Sequence, residues 1–123
     1  MGMKDLFKDV LGIEGVHGVV CLTTEGTVVH SQFTPAHPSD YETVSGTDWS
    51  SLVRELSGIG EAEIVFDAGR LYIRKSSNGY LIVILDDHAP VSMVRLHCDV
   101  LMPALDKQKF SKGFGQLLRK KIF

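Results

Sequence analysis

The sequence predicts an α+β domain built on a single five-stranded antiparallel sheet with helices on both faces. The order is helix, strand, strand, helix, strand, strand, strand, helix, with a basic tail behind. Three observations carry this prediction. Runs of strand character are joined by turns that suit antiparallel hairpins. Two of the runs, Val19-Val20-Cys21-Leu22 and residues 80–85, are apolar without alternation, as strands covered on both faces are. Between the hairpins, apolar residues recur at helical spacing. A chain of 123 residues is one domain's worth and can bury a core without a covalent staple. With 44% hydrophobic and 23% charged residues and a mean hydropathy of +0.08, it is neither disordered nor collagen-like.

Leu6, Phe7, Val10 and Leu11 lie on one face of a short helix over 4–11, which Gly12 and Gly15 stop. Strands follow at 17–23 and 27–33, joined by Thr24-Glu25-Gly26, whose glycine supplies the positive φ a tight hairpin requires. Residues 34–47, with two prolines and little that is apolar, read as an exposed loop. Asp48 caps a helix over 48–57 in which Trp49, Leu52, Val53 and Leu56 fall at i, i+3, i+4 and i+7, with Gly58 placed to end it. Three strands come next, at 62–67, 70–75 and 80–85, turned by Ala68-Gly69 and by Ser77-Asn78-Gly79. In 70–75 the Leu71 and Ile73 positions alternate with Arg70, Tyr72 and Arg74, which predicts a face turned to solvent or to a partner. Asp86 and Asp87 are expected to cap the last helix, with Pro90 in its first turn. Val91, Val94, Cys98, Leu101 and Leu105 form its stripe, and Met93, Leu96 and Val100 form a second apolar flank, so the helix is expected to be covered over most of its circumference. Pro103 is expected to kink or end it near Met102. Arg95 and Asp99, four apart, mark a wet edge.

Charge divides the chain into a domain over 1–106 and a tail over 107–123. The tail carries Lys107, Lys109, Lys112, Arg119, Lys120 and Lys121 and no acid, while the first 106 residues hold all the acidic side chains and only seven basic ones. An acidic body argues against a nucleic-acid-binding core. Phe110, Phe114, Leu117, Leu118 and Ile122 recur at helical spacing among the tail's cations, a pattern suited to anionic lipid, with a flexible appendage or a helix folded back on its own domain as the other readings. No apolar run approaches the ~20 residues that cross a bilayer. No signal-type stretch or myristoylation motif opens the chain, and two cysteines in apolar segments fit a reducing compartment. These features point to a cytoplasmic protein.

Catalytic templates find little. The glycines of 12–18 follow a helix and precede a strand, the reverse of a phosphate-binding turn. The five histidines (His17, His30, His37, His88, His97) show no ligand spacing, so no metal is expected, and His97 is expected in the core. Cys21 lies mid-strand in apolar surroundings that make a thiol a poor nucleophile. No catalytic residue and no cofactor are expected. Association stands out instead. Trp49 is a common interface anchor, and the strand at 62–67 is a candidate edge with Ile64 and Phe66 on it, whose pairing with a two-fold mate would extend the sheet. Trp49, Leu52, Val53 and Leu56 can equally pack on their own sheet, and one helix can use a flank for each.

Four stretches carry a family likeness: Ile13-Glu14-Gly15-Val16-His17-Gly18-Val19-Val20, the hairpin at Glu25-Gly26, the segment Glu63-Ile64-Val65-Phe66-Asp67-Ala68-Gly69-Arg70, and Asn78-Gly79 leading into Tyr80-Leu81-Ile82-Val83-Ile84. Together they resemble the roadblock/light-chain-seven domain family over roughly residues 4–106. The resemblance implies a dimer paired through the middle helix and the strand after it, with an interface drawn from Trp49, Leu52, Val53, Arg54, Leu56, Ile64 and Phe66. It also implies a non-enzymatic partner or regulator of small Ras-like GTPases, as in Mgl-type polarity regulators, or a scaffold. Arg54, Arg70 and Arg74 are the residues that could serve a GTPase as an arginine finger, although exposed arginines are mostly solvated surface. The residues leave two alternatives open: a sensor or scaffold for a small ligand or another protein, and a membrane-surface adaptor acting through the tail.

Overall fold

In the computed structural model, which describes residues 3–35, 47–67 and 69–108, five strands form one antiparallel sheet in the order β2-β1-β5-β4-β3. The strands are β1 (Val16–Thr23), β2 (Val28–Phe33), β3 (Glu61–Phe66), β4 (Gly69–Ser76) and β5 (Gly79–Leu85). The two runs without alternation, β1 and β5, lie side by side in the interior of the sheet. Their register explains why both faces of each must be apolar. Val19 opposite Val83 and Cys21 opposite Leu81 point to one side, and Val20 opposite Ile82 and Leu22 opposite Tyr80 to the other. The first side is covered by α1 (Met3–Leu6), α2 (Lys8–Leu11) and α4 (Val91–Asp106), through Phe7, Val10, Val94, Cys98, Leu101 and Leu105. The second is covered by α3 (Trp49–Glu55), through Trp49 and Val53, with Leu56 just beyond its end. Each layer removes its own apolar set from water, at roughly 25 cal/mol per Å².

Several expectations change. The helix expected over 4–11 is two single turns broken at Phe7, whose φ of −98° and ψ of 4° drop the ring into the core, fully buried and stacked on His30 at 5.7 Å. Pro103 does not end α4 near Met102: the helix runs on to Asp106, and Leu101, Met102 and Leu105 around the proline are packed in the core. Asp86 caps a turn ahead of α4 rather than the helix: its Oδ1 accepts from the backbone N–H of His88 (2.8 Å) and Ala89 (3.0 Å), and Pro90 takes the N-cap position. His97 is half-buried at a groove instead of enclosed in the core. Met93, Leu96 and Val100, expected under cover, are exposed. Most of the loop at 34–47, the turn residue Ala68 and the tail from residue 109 lie outside the described residues.

Two margins bound the sheet, and they differ. Along β2 the register passes from Cys21 opposite His30 to Leu22 opposite Val28, leaving Val29 as the extra residue of a bulge. Along β3, six consecutive residues match β4 without interruption.

Candidate interaction surface

The residues singled out for association fall on α3 and β3. Asp48 starts α3. Its Oδ1 accepts from the Ser51 N–H (3.2 Å) and the Ser50 hydroxyl (2.8 Å), and its Oδ2 from the Ser51 hydroxyl (2.6 Å). The Ser51 hydroxyl foremost, then the Ser50 hydroxyl and the Ser51 N–H, hold this carboxyl down to about 2. The β1–β2 turn fixes where the helix begins. Gly26 has φ +93°, and a Cβ there would lie 2.5 Å from Ser50 Cα, so only glycine lets the hairpin close against the helix start.

Trp49, Val53 and Leu56 are buried on the chain's own sheet, and Leu52 is half-buried beside them. The helix therefore spends that flank internally, and the Trp49 ring is core. Its other flank, with Ser50, Arg54 and Glu55, is exposed, and Arg54 Nη2 donates to the Ser51 hydroxyl at 3.0 Å. On β3, Ile64 packs half-buried against the α3 layer, whereas Phe66 is exposed. The sequence reading missed Val65, the most open apolar residue of the strand at 69% exposure. The signal was present in the alternation of Glu61, Glu63 and Val65 with Ala62, Ile64 and Phe66.

Arg70, Tyr72 and Arg74 do not face solvent or a partner as expected. They lie beneath α4 in a polar network. Arg70 donates to the Asp86 carbonyl (2.7 and 3.1 Å), the Ala89 carbonyl (2.5 Å) and Glu63 (3.2 Å). Arg74 donates to Asp99 at 2.6 Å and to the Tyr72 hydroxyl at 3.1 Å. Tyr72 in turn donates to Glu61, which also accepts from Arg95 at 2.6 Å. Arg95 and Asp99 thus reach across to the sheet instead of forming a pair along the helix. Of the candidate finger arginines, Arg70 is engaged with Glu63 and the turn ahead of α4 and Arg74 with Asp99 of α4, and only Arg54 stands on an outward surface.

The Tyr72 hydroxyl is the first cause that holds Glu61 below the usual carboxylate range, with burial opposing it and Arg95 adding to it. Removing that hydroxyl by Tyr72→Phe is expected to cost about 1 kcal/mol at pH 7, below the ~1.5–3 kcal/mol of a hydrogen bond to a charged group because Glu61 is partly solvated. A depressed carboxylate stabilises the fold above its unfolded value and loses that contribution as pH falls through its folded value. The gap between wild type and variant should therefore shrink from pH 7 to pH 3, read from urea midpoints at both.

Burial pushes the Cys21 and Cys98 thiols up to about 12, which disfavours the thiolate at neutral pH. Among the described residues no group of His, Cys, Asp and Glu could hold a metal ion, and no helix is long and apolar enough to cross a membrane.

No protein-family model matches the sequence, and no curated protein matches it. Solved structures do match. The chain is similar to a Roadblock/LC7 domain from Streptomyces avermitilis, with a TM-score of 0.63 and 14% identity over 85% of this chain and 95% of that one. It is similar to MglC from Myxococcus xanthus, with a TM-score of 0.63 and 14% identity over 86% and 98%. It is also similar to an MglB with a tetrameric arrangement, with a TM-score of 0.59 and 17% identity over 85% of each. At such identities the likeness is one of architecture, and the architecture of this chain is that of a roadblock/LC7-type domain.

Proposed function

We propose that two copies of this chain pair through β3 and the neighbouring α3 into a platform that binds a small Ras-like GTPase, and that the platform regulates or recruits the GTPase without chemistry of its own. The observation that carries the reading is the β3 margin. It is regular along six residues, flanked by no further strand among the described residues, and presents Val65 and Phe66 to the outside. A regular open edge with apolar side chains is a template for another strand, and a two-fold mate satisfies both edges at once. The MglB likeness supports self-association, because that protein is described in a tetrameric arrangement. The family resemblance supplies the GTPase. The exposed flank of α3 offers Arg54 and Glu55 for charge matching, which governs the encounter rate and specificity more than raw affinity.

Light scattering at micromolar concentration should give twice the chain mass. Immobilised chain should retain a Ras-like protein in one nucleotide state, GTP- or GDP-loaded, in preference to the other. A strict monomer overturns the platform, and a dimer that retains neither state overturns the GTPase.

A further inference from the structure

Two copies that pair through β3 could do so in several registers, and the strand itself selects among them. The Lys75 N–H donates to the Gly60 carbonyl at 2.8 Å, one position before the Glu61–Arg74 pair. Backbone groups alternate in direction along an antiparallel strand, so Gly60, Ala62, Ile64 and Phe66 turn theirs to β4, and Glu61, Glu63 and Val65 turn theirs to the open side. Glu61, Glu63 and Val65 share the α4 face of the sheet with Arg74, Tyr72 and Arg70, while Ala62 and Ile64 pack in the α3 layer.

Symmetry narrows the choice. A platform with both α3 helices on one face needs a two-fold axis perpendicular to the sheet. Residues directly opposite in an antiparallel pair point to the same face. Odd positions therefore meet odd ones and even meet even, and the axis must pass through one residue and its own copy. An axis at Ala62 sets Glu61 opposite Glu63 of the other copy, twice. One at Glu63 sets that carboxylate opposite itself at the centre and leaves Phe66 across from Gly60. Like charges in direct opposition destabilise a sheet. One at Val65 joins only positions 64–66, because Phe66 is the last residue of the strand. One at Ile64 avoids all three faults. It overlaps positions 62–66, sets Ile64 against itself, lays the Phe66 ring over Ala62 and the stem of Glu63 along Val65. Glu61 falls outside that overlap and is matched by Arg95 at 2.6 Å. The two apolar side chains that stand open on the strand in one copy, Val65 and Phe66, are then both covered.

We propose that the two-fold axis of the pair runs through Ile64, with Ala62 opposite Phe66 and Glu63 opposite Val65. The proposal rests on the pairing of two copies through β3 and adds what fixes the span of the platform. Moving the axis by one residue slides one copy past the other by two residues, about 7 Å, and carries the exposed Arg54 flank of its α3 with it.

Three full-length chains, each with one added cysteine, read the axis under mild oxidation at a concentration where the wild type is dimeric. A cysteine on the axis meets its own copy at a Cα separation of about 4.5–5.5 Å, within disulfide range. A cysteine one residue off the axis is staggered from its copy by two residues and lies beyond the limit of about 7 Å. Ile64→Cys should therefore cross-link about tenfold or more faster than Glu63→Cys or Val65→Cys. The wild type, whose Cys21 and Cys98 are buried, sets the background. Because Ile64 is half-buried, a second arm leaves it in place: Ala62→Cys and Phe66→Cys chains, mixed and allowed to exchange subunits, should cross-link about tenfold faster than either alone. Fastest cross-linking by Glu63→Cys or Val65→Cys, or a mixture no faster than its parts, overturns the register and leaves the β3 dimer standing. A strict monomer by light scattering, or a dimer that none of these cysteines cross-links, overturns the pairing through β3 and the register with it.

Discussion

A chain carrying Val65→Glu and Phe66→Asp is expected to run as a monomer at concentrations where the wild type is a dimer, and to lose retention of the GTPase with it. Both side chains are exposed in the single subunit, at 69% and 44%, so the substitutions leave the two packed layers alone and the urea midpoint should move little. In the proposed dimer each change occurs twice, once per margin. The two added glutamates then join Glu61 and Glu63 on one face of the strand and the two added aspartates lie on the other, and like charges brought together in an interface cost several kcal/mol. A loss of pairing affinity of about 100-fold or more is expected, equivalent to about 2.7 kcal/mol. Sedimentation across a concentration series reads it. A double variant that keeps the dimer mass would move the interface away from β3.

Phe7→Ala should produce the largest loss of stability of any single truncation at the sheet's helical face outside α4. The ring is fully buried, stacked on His30 of β2, at the joint where α1 and α2 meet. Removing it forfeits the transfer of the ring from water and leaves a cavity that the two short turns cannot fill from elsewhere, about 3–5 kcal/mol together. Against a typical total of 5–15 kcal/mol, that is enough to populate unfolded chain at 37 °C. Phe7→Leu keeps most of the volume and should cost about 1 kcal/mol. Urea denaturation of the three chains provides the comparison. A loss below 1 kcal/mol for the alanine would show that the N-terminal turns add little to the fold.

What was legible in the sequence was whatever a single element declares about itself. Unbroken apolar runs identified β1 and β5 as interior strands because a strand covered on both faces has no position left for a polar side chain. The spacing of Trp49, Val53 and Leu56 and the capping Asp48 defined α3 for the same local reason. What was not legible is what each polar or apolar face meets. The alternation in β4 shows that Arg70, Tyr72 and Arg74 share a side, but the backbone and carboxylate partners of the two arginines are 16 to 25 positions away, at Asp86, Ala89 and Asp99, and that of Tyr72 is Glu61, 11 positions away. Arg95 and Asp99 have the spacing of a helix pair worth a few tenths of a kcal/mol, and that weak preference yields to partners held in fixed positions on the sheet. At the association surface, Ile64 and Phe66 were legible on one side of β3 while Val65, on the other, was passed over. Trp49 illustrates the opposite limit, since an amphipathic spacing says that a large ring will be covered and not whether its own subunit or another covers it.

The extra residue at Val29 bears on how copies of this chain could assemble. If the β3 border of one copy were to zip onto the β2 border of the next, every addition would leave a fresh ragged end, and growth would continue into a fibre. A kinked, locally over-twisted border offers a poor match to a straight one, so in the proposed dimer the straight border pairs with its own two-fold counterpart, which would end the assembly at two.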